Sequence, residues 1–363
     1  MGEFEIKQAR ILSLLKTHRL DALLLKQVSS FAWATCGVSS HVNIASSMGE
    51  ASLLITDSDR FLLTNNIEAT RLKEETRLKD QGWEFRVVHW YEQTNEIKKL
   101  ITGLRVGSDF SSFQFADLRD EMAHLRADLT PDEGNRFREL GKLCAAAMED
   151  TAHSIVPGQT EHEIAGVLAS TAESRGVQAI VNLIAVDERV FTHRHPLPTA
   201  KKLKNYAMLV LCGRKFGLVC SITRFVHFGE IPAEVKEKAY AVARVDARLI
   251  RATRPGRRLD EIFNGAVNAY AEVGFPDEWR LHHQGGIAGY EPRERLATPD
   301  RKEVVLVGQA YAWNPSITGT KSEDTILVGT DSNEVITAIP EWPTYAVTVD
   351  NVEMARPTIL EKL

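Results

Sequence analysis

The chain has 363 residues, 44% hydrophobic and 26% charged, enough to bury a substantial core and to form about two domains. With 44 Lys and Arg against 49 Asp and Glu, its formal charge is -5 and its pI about 6.2. No basic surplus is available to neutralise phosphates, so nucleic acid is excluded as a main partner, and a small molecule or peptide fits better.

The opening Met1-Gly2-Glu3-Phe4-Glu5 is acidic where a secretory leader needs a basic segment, and no run reaches membrane-spanning length. A cytoplasmic chain with no membrane contact is expected. Cys36, Cys144, Cys212 and Cys220 have neither zinc-ribbon spacing nor disulfide-scaffold density, so they are expected as reduced thiols.

Residues 3 to about 19 carry Ile11, Leu12, Leu14 and Leu15 at helical spacing, and the apolar run Leu20 to Leu25 suits a buried strand. Segments 51–56 and 60–64 alternate around Asp57-Ser58-Asp59, a hairpin pattern. Helices are predicted over 68–79 and 114–125, with strands at 85–89 and 105–107. Together these form a first α/β domain, residues 1–128. Thr130-Pro131-Asp132-Glu133 then has a hydroxyl residue at the N-cap position, proline at the first helical position and Glu three residues after the cap, predicting a helix to about Ile155.

An internal repeat organises residues 129–363. Pro157-Gly158, Ile164 and Gly176 recur as Pro255-Gly256, Ile262 and Gly274, with a constant offset of 98 (255 − 157, 262 − 164, 274 − 176). Each copy follows an amphipathic helix and precedes apolar strand candidates, so a duplicated helix-helix-sheet unit with its cleft between the copies is expected. Strands are predicted at 181–186, 207–212, 218–226, 304–307, 310–314 and 322–328, the last two flanking the turn Ile317-Thr318-Gly319-Thr320.

Two windows concentrate chemistry. His282-His283-Gln284-Gly285-Gly286 through Tyr290-Glu291-Pro292-Arg293-Glu294 sets imidazoles, a phenol and a guanidinium among glycines that let backbone approach a ligand, although such a window also reads as a polar surface turn. In Thr192-His193-Arg194-His195-Pro196, two histidines at i and i+2 of an extended chain point the same way, as a proton-handling pair or a carboxylate clamp requires.

The order of these motifs resembles the creatinase, aminopeptidase P, prolidase and methionine aminopeptidase family, whose catalytic domain is the duplicated pita-bread fold. Residues 1–128 resemble the smaller N-terminal domain of the creatinase and prolidase branch, giving an α/β (α+β) fold class. Ser322-Glu323-Asp324-Thr325 is similar to the family's final Glu-Asp-Thr strand. The family's peptidases hold two divalent metals on five ligands, whose positions fall here on Leu211, Ser221, His283, Asn314 and Glu323. Three of the five cannot serve as the family's ligands, which predicts no dinuclear centre and no metal cofactor.

Resemblance to the metal-free creatinase branch implies a hydrolase of a C–N bond in a small nitrogen-rich carboxylate. His195 or His193 would be the general acid/base, with His283 and Glu323 completing the catalytic group and Glu323 binding a cationic nitrogen or positioning water. Arg293 or Arg224 would clamp a carboxylate, and His282, Tyr290, Asn314 and Trp313 would border the substrate. Two alternatives stay open: an Xaa-Pro metallopeptidase with a degenerate ligand set, and a catalytically inactive homologue that binds. The resemblance also implies a homodimer.

Overall fold

The apolar run at the start of the chain becomes the strand Ala22–Gln27, whose first four residues are buried. In the computed structural model, which describes residues 2–362 (Gln93 by its backbone alone), the chain divides into two units. The first comprises Met1–Asp132 with Phe216–Leu218, and the second Glu133–Lys215 with Val219–Leu363.

The first unit is built on a six-stranded sheet in the spatial order Glu84–Val88, Arg60–Asn65, Met48–Thr56, Ala22–Gln27, Val106–Ser108 and Ala116–Asp117. The expected hairpin is present, with Ser52 to Ile55 opposite Leu63 to Arg60. Its turn is closed by Thr56 Oγ1, which accepts from the amides of Ser58 and Asp59 at 3.3 and 2.9 Å. Leu24, Leu54 and Leu63 pack with Ile97 and Leu100 on one face.

Two expected helices are shorter than the pattern suggested. The charged segment 68–79 is helical only over Ala69–Glu74. The segment 114–125 gives up its start to the edge strand Ala116–Asp117, which pairs with Gly107 and Ser108, so the helix is Arg119–Ala127. Sequence pattern missed the helix Val28–Ala34 altogether: all seven of its residues are buried, so it has no polar face to create a periodicity.

In the second unit the repeat is visible as geometry. Helices Pro131–Ser154 and Glu161–Glu173 correspond to Ala233–Ala252 and Leu259–Glu272. Gly158 and Gly256 both turn the chain at positive φ, 95° and 86°, a conformation glycine adopts without penalty. Their amides donate to equivalent carbonyls, Leu203 at 2.8 Å and Val305 at 2.9 Å. The second helix of the first copy starts with a capping box between Thr160 and Glu163.

Two sheets carry the cleft. One has the order Leu360–Lys362, Leu218–Phe228, Tyr206–Lys215 and Gln178–Val186; the other Arg295–Leu296, Gly285–Ala288, Ala310–Trp313, Asp324–Val328 and Asn333–Val335. A bridge between Thr223 and Glu323 ties the two sheets together. The segment 304–307 forms only an isolated bridge, Val304 to Arg258, with Val304, Leu306 and Val307 exposed, rather than the expected strand. The strands Thr344–Val349 and Val352–Pro357 were not anticipated. Among the described residues no helix is long and apolar enough to cross a membrane.

Candidate active site

Glu323 sits at the bridge between the sheets, 2% exposed. Burial alone would push its carboxyl up, but two cations reverse that. Lys321 Nζ lies 2.7 Å from Oε2 and Arg293 Nη2 lies 3.0 Å from Oε1, and Thr223 donates its hydroxyl as well. Together they hold the acid down at about 2. Lys321 and Glu323 are two residues apart, and at i and i+2 of an extended segment their side chains leave the same face.

Facing this triad are three imidazoles. His195 Nε2 and His282 Nε2 are 3.0 Å apart, and the His283 ring stacks on His282 with centroids 4.3 Å apart. Desolvation, reinforced by Lys321, lowers His282 to about 2; desolvation with Arg293 and Lys321 lowers His283 to about 4. His195 lies at the exposed edge of the cluster and is also lowered, by burial first and then by Lys321. All three rings are therefore neutral at pH 7, and His195 is the one open to solvent.

The cluster is assembled by a tether. Arg194 Nη2 donates to Glu278 Oε2 at 2.6 Å and to Thr318 Oγ1 at 3.0 Å. Thr318 in turn donates its amide and hydroxyl to Glu278 at 3.0 and 2.7 Å. The loop carrying His195, the turn preceding Lys321 and the 3-10 helix Glu278–Leu281 that leads into His282 thus share one polar joint.

Several sequence expectations need correction. His193 is not part of the imidazole cluster: it follows the helix Glu188–Thr192 and its Nδ1 is 2.7 Å from the hydroxyl of Thr192. Tyr290 is buried and donates its hydroxyl to Glu133 at 2.7 Å, so it acts as a packing residue. Arg224 bridges strands, donating to Asp324 at 2.8 Å and to the carbonyls of Thr223, Glu323 and Thr337. Trp313 is fully buried with its Nε1 on Thr253 Oγ1, a core residue rather than a substrate wall. Gly285 and Gly286 serve the sheet and not a ligand: a Cβ on either would run into the carbonyls of Ala312 and Arg295. Asn314 is buried, its amide donating to the Gln284 carbonyl at 3.0 Å and its Oδ1 without a hydrogen-bond partner.

The paired metals implied by the family resemblance do not fit these residues. Leu211 is apolar and fully buried, and Ser221 Oγ already accepts from Arg293 at 3.0 Å. Asp187 and Asp324 are committed elsewhere, Asp187 to the amides of Lys204, Asn205 and Tyr206 and Asp324 to Arg224 and Arg356. Two dications would add four charges beside the ammonium and guanidinium that already outnumber the one Glu323 carboxylate. Each unit repulsion at about 4 Å costs about 4 kcal/mol at an effective dielectric of about 20. Lys321 is the residue that sequence reasoning missed, although its i−2 relation to Glu323 was a usable signal.

Comparison with known proteins gives the family and the fold. The profile of metallopeptidase family M24 matches residues 135–330, more than half of the chain. An uncharacterized peptidase of Staphylococcus aureus strain MW2 is 28% identical over 252 residues, which cover 66% of this chain and 69% of that relative. In fold, the chain is similar to the prolidase of Pyrococcus horikoshii OT3 (TM-score 0.80, 19% identity, covering 92% of this chain and 98% of that one). It is also similar to an Xaa-Pro dipeptidase from Bacillus anthracis (TM-score 0.77, 20% identity, 93% and 98% covered). The N-terminal domain of the FACT complex subunit SPT16 from Cicer arietinum shares the fold too (TM-score 0.70, 14% identity, 93% and 97% covered).

Proposed function

The chain belongs to metallopeptidase family M24, and on that footing we propose that it hydrolyses a C–N bond in a short substrate with a free carboxylate, without the family's paired metals. Dipeptides of the Xaa-Pro type are the first class to try, because fold relatives are a prolidase and an Xaa-Pro dipeptidase. Small nitrogen-rich carboxylates of the creatine kind are the second. The observation that carries the reading is the Lys321–Glu323–Arg293 triad, which places fixed positive charge where the family resemblance implies metal charge.

In this reading His195 is the proton carrier. Its neutral ring can take a proton from water and return it to the leaving nitrogen. His282 holds that ring in place through the 3.0 Å contact. Lys321 and Arg293 supply hydrogen-bond donors and positive potential for the substrate carboxylate or a developing oxyanion, and Glu323 fixes both cations so that little reorganisation accompanies the reaction. A homodimer is part of the proposal and is read by sedimentation.

The test is a substrate panel of Xaa-Pro dipeptides, N-acyl amino acids and guanidino carboxylates, run with and without chelator on wild type and His195→Ala. Turnover lost in His195→Ala supports the reading. A panel with no turnover, in which ligands nevertheless raise the melting temperature, supports a binding protein instead, the alternative favoured by the three lost ligand positions.

A further inference from the structure

The imidazole cluster has a property the triad does not explain. His195, His282 and His283 each bring a ring nitrogen to within 4.8 Å of the other two, and among the described residues no other group of three or more His, Cys, Asp or Glu does so. The Nε2 atoms of His195 and His282, 3.0 Å apart, face each other, so they must share either a proton or a cation. Sharing a proton engages those two rings alone and leaves His283, whose Nδ1 is buried without a hydrogen-bond partner, outside the arrangement. A cation can draw on a nitrogen of all three rings; Nδ1 of His282 is unpartnered in either case.

We propose that these three residues form a site for one divalent metal of the zinc class, sharing only His283 with the five ligand positions of the family's dinuclear centre. Tetrahedral coordination at about 2.1 Å places ligand nitrogens about 3.4 Å apart. His195 and His282 are already close to that spacing, and His283 offers a ring nitrogen within 4.8 Å of both. A ligand set of three imidazoles with no carboxylate selects zinc, copper, nickel or cobalt over magnesium, calcium and manganese. Neutral nitrogen donors bind by lone pair and bring no counter-charge, so a single ion faces half the charge of a metal pair and is held against the repulsion of Lys321 and Arg293. His195 lies at the exposed edge, which gives the ion a route in and leaves a fourth position for water or substrate.

The neighbouring triad sets a signature that separates this site from a family-type one. Lys321 and Arg293 against Glu323 leave one net positive charge beside the cluster, so Lys321→Met should tighten metal binding about tenfold or more. Glu323→Gln should weaken it through the field without abolishing it.

The inference competes with the hydrolase reading for the His195 ring, which carries the proton in the metal-free enzyme and ligates in the metal-bound form, and it is tested without a substrate. Tag-free protein, stripped with chelator and dialysed, is titrated with ZnCl2 by calorimetry and with CoCl2 by visible absorption. The expected result is one equivalent of either metal, tetrahedral cobalt bands, and affinity at least about 100-fold lower in both His195→Ala and His282→Ala. His195→Ala changes an exposed side chain, so it remains informative if His282→Ala fails to fold. No binding to stripped wild type overturns the proposal. So does binding that survives His195→Ala, or that is lost in Glu323→Gln while that variant stays folded.

Discussion

Lys321 and Glu323, two residues apart, form a buried ion pair at 2.7 Å, and Arg293 closes it from the other side at 3.0 Å. A family scaffold that elsewhere gathers carboxylates around metals here gathers cations around one carboxylate. The consequences for stability, pH response and chemistry follow from that inversion.

Removing the carboxylate should cost more than removing one cation. Glu323→Gln leaves Lys321 and Arg293 buried without their counter-charge, which predicts a loss of about 3–5 kcal/mol. Lys321→Met leaves Glu323 with Arg293 and Thr223 and should cost about 1–3 kcal/mol. Urea unfolding of the two variants checks the order, and equal or reversed losses contradict the charge assignment.

Acid should destabilise the metal-stripped protein in two steps. His282 and His283 titrate near 2 and 4 when folded, against an ordinary value of 6.5, so the unfolded chain binds more protons below that value. Their contribution is fully present above about pH 6.5 and is lost as pH falls, towards 4 for His283 and on towards 2 for His282. Glu323, also depressed, adds a second loss beginning near its ordinary 4.5 and continuing towards 2. Melting temperatures at pH 7 and pH 5 should differ more for wild type than for a His282→Gln/His283→Gln double variant.

Arg194 is a positioning residue for His195. Arg194→Ala breaks the joint with Glu278 and Thr318 while leaving every ring in place chemically. Displacement of a catalytic group by about 1 Å costs up to about 100-fold, so turnover should fall about 10- to 100-fold with the melting temperature little changed. Imidazole resonances in proton–nitrogen spectra should show the loss of the His195–His282 contact, a change that simple destabilisation does not produce.

Tyr290→Phe tests the structural role given to that phenol. Loss of its bond to Glu133 should cost about 1 kcal/mol and leave turnover unchanged. A KM increase of tenfold would return Tyr290 to the substrate.

Much of the architecture was legible because it is repetitive. The constant offset marks paired helices and paired glycine turns, and local turn chemistry such as the 56–59 hairpin reads directly from the residues. The site was legible in its inventory, since Glu323, His195, His282, His283 and Arg293 converge. Its assignments failed where a distant partner decides. Tyr290, Trp313 and Arg224 are claimed by Glu133, Thr253 and Asp324, which lie 157, 60 and 100 residues away. No local pattern reveals such pairings. His193 and His195 look equivalent on an extended chain, but the short helix ending at Thr192 gives the first a hydroxyl partner and leaves the second for the cluster.

The most direct measurement is an anomalous-scattering map from crystals soaked in Mn2+ and, separately, in Zn2+. The charge inversion at Glu323 predicts no manganese beside it and at most one zinc peak, among His195, His282 and His283, with Lys321 still on the carboxylate. Two peaks about 3.5–4 Å apart within coordination distance of Glu323, with Lys321 displaced, would contradict it.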